Sequence, residues 1–256
     1  DLARLARAGV PGADPTGWAG MLPPSTEAPL FDRADPVTLV TLSPSKLGTL
    51  TDCPLRWLAE QHGGTDPSPL PSTIGSLVHA LVADSGRGET ALLAELDRVW
   101  DRLPFTARWY AANELARHRD MLTAFLAWRT ASRAELTEVG VEVEIDGLLE
   151  PATGAGPGVR LRGRIDRVER DEAGRLVIVD LKTGRTPVSK DDAQAHAQLA
   201  AYQLAVTAGL LHALDPPETE AQPGGARLVY LGKPAAAGAT ERDQAALTAD
   251  TEEQWR

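Results

Sequence analysis

The sequence predicts an α/β protein in which a helical N-terminal part leads into a mixed central sheet flanked by helices. Three observations carry this expectation. Residues 43–134 read as successive amphipathic helices, and after Glu135 the pattern changes to the strand-like stretches "LTEVGVEVEID", "VRLRGRIDRVER" and "RLVIVDLKTG". A long helical stretch, "KDDAQAHAQLAAYQLAVTAG", then separates the third strand from a fourth, "ARLVYLGKP". A helix between two strands supplies the crossover that parallel pairing needs, and helices on a sheet bury its apolar faces.

Taken in order, residues 1–40 are rich in Pro, Gly and Asp and read as a short helix followed by an extended linker. "LSPSKLGTLTDCPLRWLAEQHGG" opens a helix with Ser43 as N-cap and Pro44 in the first turn, and Gly63-Gly64 ends it. Pro54 should kink or divide that helix. "STIGSLVHALVAD" carries an apolar stripe of Ile74, Leu77, Val78 and Leu81. Residues 89–102 and 106–134 form two further helices, the second carrying Trp109, Leu115, Leu122, Phe125 and Trp128. The spacing of Trp57, Trp109 and Trp128 among Leu and Phe favours core packing over stacking on nucleic-acid bases. "GAGPG" at Gly154–Gly158 reads as a loop and follows no strand–turn–helix unit that could cradle phosphate.

The chain has 256 residues, 43% hydrophobic and 24% charged, ordinary values for a globular protein. No run approaches the roughly 18 apolar residues of a membrane span, and no membrane partner is expected. The single cysteine excludes an internal disulfide framework and points to a reducing cytoplasm. A start without Met and an end at "TEEQWR", within a helical pattern, suggest a piece of a longer polypeptide. The net charge of −10 argues against nucleic acid as a partner, because phosphate binding relies on Lys and Arg. Its distribution points the other way: Arg160, Arg162 and Arg164 share one strand face, a local basic stripe suited to DNA. A solvated strand face is the plainer reading of the same stripe.

Chemistry concentrates in "VIVDLKTG". Asp180 and Lys182 interrupt a buried aliphatic strand and, two residues apart, point to the same side. Glu142 and Glu144 share a face of the first strand, and Asp166 ends the apolar part of the second. If these strands are neighbours, Asp166 and Asp180 converge into an oxygen-rich site for a hard cation such as Mg²⁺ or Mn²⁺. Lys182 beside that ion would stabilise charge on a phosphate, as phosphodiester hydrolysis requires. The alternative is ordinary salt bridges, Asp166 with Arg164 or Arg167 and Asp180 with Lys182. His62, His118, His196 and His212 have no zinc-ligand spacing; His196, near Gln198, would either line the groove or, as the favoured reading, face solvent.

"GRIDRVE", "VIVDLKTG" and "QLAAYQLA", in that order, resemble the successive motifs of the RecB-type nucleases within the PD-(D/E)xK superfamily, over roughly residues 43–232. The resemblance implies a restriction-endonuclease-like fold. It implies metal ligation by Asp166, Asp180 and the Leu181 carbonyl, with Lys182 as catalytic lysine and Gln198 and Tyr202 as the helix motif that accompanies them. "IGSLVHALVAD" is similar to the segment that supplies a histidine ligand, which places His79 at the metal; alone, it would read as a core histidine. "LARLARAGVPGADPTGWAG" with "LSPSKLGTLTDCPLRWL" resembles the junction between helicase and nuclease modules in actinobacterial AdnAB-type helicase–nucleases. That likeness implies residues 1–40 as a linker from a helicase module and 41–256 as the nuclease domain, truncated at its C-terminus. It also implies a second helicase–nuclease subunit, a bacterial nucleoid-associated location, and single-stranded DNA as substrate in double-strand-break resection. No Walker A motif is present, so the motor would lie elsewhere in the polypeptide. "DCPLRW" resembles the first cysteine of an iron–sulfur form of the nuclease, whose cluster needs four. Cys53 is the single cysteine, so the others lie beyond Arg256 or Cys53 is a buried apolar residue. A catalytically silent nuclease fold kept for DNA binding or assembly is the alternative function; it would be expected to have lost Asp166, Asp180 or Lys182.

Overall fold

The computed structural model describes residues 2–18, 39–64, 70–83, 86–149, 158–214, 221–233 and 238–255. Most of the expected linker, and all but the last residue of "GAGPG", lie outside them. The N-terminal helix is present as α1 (Leu2–Arg7). A strand that the Pro-rich pattern hides follows as β1 (Leu39–Leu42). Pro44 starts a short 3₁₀ turn at Pro44–Lys46, and Pro54 divides the next segment as expected into α2 (Leu47–Asp52) and α3 (Pro54–Gln61). Three longer helices complete the helical part: α4 (Leu70–Ala83), α5 (Glu89–Trp100) and α6 (Arg108–Ser132).

The expected strands are β2 (Leu136–Leu149), β3 (Gly158–Asp171), β4 (Leu176–Lys182) and β5 (Pro223–Tyr230). The expected single helix between β4 and β5 is broken at Ala195 into α7 (Lys190–Gln194) and α8 (Ala197–Thr207). The C-terminal part adds an unforeseen strand, β6 (Thr240–Gln244), and a final helix, α9 (Ala249–Trp255). The strands form one mixed sheet of order β1-β3-β4-β5-β6, with β2 paired to β3. β1 is parallel to β3 and β4 to β5; the other pairs are antiparallel.

The sheet separates two cores. On one side Val179, Leu181 and Val229 pack beneath α4, α5 and α6 through Ile74, Val78, Leu96, Leu122, Phe125 and Trp128. On the other, Ile178, Leu228 and Ile165 pack against α8 through Leu199, Tyr202, Ala205 and Val206. Every residue of α8 from Leu199 to Val206 is buried, so its position is fixed from all sides. Trp57 and Trp128 are core residues as expected. Trp109 is not: it is 74% exposed at the start of α6, touching Tyr110 edge-on, so helical spacing misassigned it.

The long strand β3 has a buried charge at its centre. Arg167 is wholly buried, bonds Glu138 of β2 and Glu169 of its own strand, and lies over the Phe125 ring at 5.4 Å. Arg133 extends the network with a 2.6 Å bond to Glu169. Removing one member of such a buried network strands the charge of the others. Arg167→Ala, which leaves Glu169 without that buried partner, is expected to lower stability by about 3–5 kcal/mol, read from the urea midpoint.

Candidate active site and metal centre

The site lies where two strands part. β3 and β4 are in register from Arg170↔Leu176 to Arg167↔Val179 and separate beyond that step. Asp166 and Asp180 are the next residue on each strand, so both carboxylates stand at the fork. The parting leaves the Leu181 amide without a strand partner, and it donates instead to Asp166 Oδ2 at 2.7 Å. A buried amide must be satisfied somewhere, and here a side chain replaces the ladder. N–H and C=O of one extended residue point the same way, so the Leu181 carbonyl also opens towards Asp166.

Side-chain alternation slips at the same point. Ile165 and Val168 both pack on the α8 side, whereas Arg167 lies over Phe125 on the other. Facing this stretch, Glu142 of β2 has φ 51, the one non-glycine residue with positive φ among the described residues. At the slip Asp166 becomes reachable from both layers. His79, from α4, brings Nδ1 to 3.3 Å from Asp166 Oδ1. Ligand atoms of His79, Glu142 and Asp166 lie within 4.8 Å of one another, a spacing that one metal ion could bridge.

Asp180 and Lys182 project together, as their spacing requires. Lys182 Nζ is 2.6 Å from Asp180 Oδ2 and donates to Gln198 Oε1 at 3.1 Å. Gln198 Nε2 donates to Asp180 Oδ1 at 2.6 Å. Four residues on, the Tyr202 hydroxyl donates to the Arg164 carbonyl at 2.9 Å and accepts a longer contact from Gln198. α8 thus holds Asp180 and Lys182 through one amide and ties β3 down through one phenol. His79, Arg164, Asp166, Asp180, Leu181, Lys182, Gln198 and Tyr202 together line a cleft of about 450 Å³.

The electrostatics favour a cation. Burial is the main cause raising the Asp180 pKa; Lys182 opposes it, and the nearby Asp166 adds to it. Burial works against an imidazolium at His79, but Asp166, then Asp180 and Glu142, outweigh it and raise its pKa. Burial above all raises the Tyr202 pKa, so the phenol stays protonated and donates. Asp180 Oδ2 is buried against the Lys182 ammonium group at 2.6 Å, and Oδ1 accepts from Gln198. The cluster of His79, Glu142 and Asp166, with the buried Asp180 near enough to Asp166 and His79 to feel their charges, fits a divalent cation.

A description of the PD-(D/E)XK nuclease superfamily matches residues 41–256. The chain belongs to that superfamily. The six-stranded mixed sheet flanked by helices is consistent with its restriction-endonuclease-like fold, and membership implies a nuclease acting on nucleic acid. No curated protein matches the chain. A solved structure described as "Crystal structure of SSO0001" is 17% identical, covers 82% of this chain and 84% of its own, and has a TM-score of 0.29, too loose a likeness to support any argument. Among the described residues, no helix is long and apolar enough to cross a membrane.

Against this geometry, the salt-bridge alternative divides. Asp180 does pair with Lys182, but Asp166 takes neither arginine: Arg167 binds Glu138 and Glu169, and Arg164 binds Glu142. The arginine stripe is only partly offset: Arg160, at 2.6 Å, and Arg162, at 3.8 Å, share the one carboxylate of Asp146. Cys53 is exposed, which overturns the reading of it as a buried apolar residue. His196 is half-buried rather than solvent-facing; it lines an adjoining cavity with Ser45, Thr49 and Gln198. The residue that sequence reasoning left out of the site is Glu142. Its signal was present as an acidic group on a strand neighbouring Asp166, but not the left-handed backbone at that position.

Burying an ionised Asp180 costs stability in the metal-free protein above the ordinary carboxylate range, because its folded pKa is the raised one. Asp180→Asn removes that cost, so the metal-free variant is expected to melt at or above the wild-type temperature. Mn²⁺ should raise the melting temperature of the wild type and not of the variant, as differential scanning calorimetry would show.

Proposed function

We propose that this chain is a Mg²⁺- or Mn²⁺-dependent deoxyribonuclease module that hydrolyses phosphodiester bonds of single-stranded DNA. The observation carrying this reading is the convergence of Asp166, Asp180 and Lys182 at one strand fork, beside the His79, Glu142 and Asp166 cluster. Asp166, Asp180, the Leu181 carbonyl and His79 would hold the ion, joined by Glu142. A bound divalent cation supplies Lewis-acid polarisation of the phosphate and a water of lowered pKa. Lys182 presents its ammonium group to the cleft, positions the attacking water and offsets the negative charge that builds on the phosphoryl oxygens. Gln198 fixes the direction of that ammonium group while holding Asp180 from behind, and Tyr202 keeps Gln198 and the β3 backbone in place. Arg160, Arg162 and Arg164 would contact the DNA backbone.

The wider assignment is also a proposal. The likeness of residues 1–40 to a helicase–nuclease junction supports a module of an AdnAB-type resection enzyme, with the motor in the same polypeptide and a second subunit beside it. Delivery by a motor would let a module of net charge −10 act on DNA that it binds weakly by itself. An iron–sulfur cluster would use exposed Cys53 if three further cysteines come from outside this sequence. Retention of Asp166, Asp180 and Lys182 together speaks against a silent fold.

Asp180→Ala should abolish Mn²⁺-dependent cleavage of a single-stranded oligonucleotide while the circular dichroism spectrum stays unchanged; undiminished cleavage would refute the reading. Lys182→Ala should slow cleavage by about 10²–10³ with metal binding retained, measured by single-turnover kinetics and calorimetric Mn²⁺ titration.

A further inference from the structure

Arg164 lines the metal cleft, its side chain 62% exposed, and its Nε lies 2.6 Å from Glu142 Oε2. Glu142 is also one of the three groups whose ligand atoms cluster within 4.8 Å. One carboxylate is therefore within reach of two cations, the guanidinium and any divalent ion in the cleft. The neighbouring arginines differ. Arg160 is gripped at both ends by Asp146, at 2.6 and 2.9 Å, and Arg162 leans on the same Asp146, a residue outside that cluster. Of the three arginines on this strand face, Arg164 alone has a candidate metal ligand as its counter-ion.

The backbone around the pair is held, while the Arg164 side chain is largely exposed. Tyr202 pins the Arg164 carbonyl, and Glu142 sits in a left-handed conformation that side-chain-bearing residues rarely adopt. Such a backbone persists only where its surroundings impose it, and it is commonly found at ligand-binding positions. A doubly charged ion in hard-oxygen contact competes strongly for a carboxylate. A guanidinium that loses its carboxylate is a ready bidentate donor to a phosphate.

We propose that Arg164 exchanges partners. It is held by Glu142 in the metal-free protein, and it grips a phosphate of the single-stranded substrate once a divalent ion has drawn Glu142 into the cleft. Metal loading and strand binding are then coupled, and the coupling is reciprocal. The device arms the phosphate grip only when hydrolysis can follow. The inference rests on the nuclease reading and goes beyond it by making one arginine conditional on the metal.

The test uses the Lys182→Ala protein as background, so that strand binding is read without rapid cleavage. Affinity for a fluorescein-labelled single-stranded oligonucleotide is measured by anisotropy with and without Mn²⁺. Adding Arg164→Ala, an exposed position that the fold should tolerate, is expected to weaken binding by a factor about tenfold larger with Mn²⁺ than without it. Calorimetric Mn²⁺ affinity in the absence of DNA should not fall. Adding Glu142→Gln should tighten metal-free binding, because Arg164 is then released in advance, and Arg160→Ala should cost the same factor under both conditions. Equal loss from Arg164→Ala with and without Mn²⁺ would make it a permanent contact and overturn the exchange, leaving the nuclease reading intact. Failure of the background protein to bind Mn²⁺ would overturn both, and failure to bind the oligonucleotide even at saturating Mn²⁺ would overturn the exchange alone.

Discussion

The arrangement depends on burying a carboxylate where two strands separate. Asp180 is drawn from a strand whose every other residue before Lys182 is aliphatic and buried, and nothing but its own neighbours can hold its charge. Lys182 and Gln198 do so from one side. Asp166, from the other arm of the fork, occupies the place of a ladder acceptor for Leu181. The centre is thus continuous with the hydrogen bonding of the sheet: the same parting that breaks the ladder creates the concavity, and the same carboxylate that mends the ladder faces it. Loss of regular pairing at one step is the geometric origin of the cleft.

Each layer of the protein delivers a different part of the centre. The α4–α6 layer contributes His79 from a helix whose other face is firmly seated in the core. The opposite layer contributes Gln198 and Tyr202 from α8, which has no exposed face between Leu199 and Val206. The strand between them, β3, can meet both because side-chain alternation slips at Asp166. The buried Arg167 network, one residue further on, clamps β2 to β3 just beyond that irregularity. A rigid ionic lock beside a distorted step is a sensible way to keep two strands in register while one of them carries an unfavourable backbone.

Much of this was legible in the sequence, because the strongest signals were local. Period-two spacing placed Asp180 and Lys182 together, and Pro54 divided its helix where ring geometry demands. The strands β2 to β5 and the helices α4 to α6 followed from runs long enough for periodicity to show. What escaped was set by tertiary context. β1 is four residues long and becomes a strand only because β3 offers it an edge. β6, "TERDQ", is polar, and its pairing with β5 defines it more than its composition does. The break at Ala195 and the exposure of Trp109 likewise depend on what lies opposite them. Glu142 was visible as an acid but not as a ligand, since a positive φ leaves no trace in residue type unless the residue is glycine.

Gly232 lies just beyond β5, and a Cβ there would come within 2.7 Å of the Thr183 and Gly184 carbonyl oxygens. Those carbonyls belong to the turn directly after Lys182, which Arg117 grips from α6 through the same Thr183 oxygen at 2.9 Å. The turn is therefore wedged between a long cationic arm and a position where even one methyl group would not fit. A side chain at position 232 would have to push this turn aside, and the turn begins at the residue that follows the lysine, so a glycine outside the cleft lining sets a limit on how the end of β4 can lie.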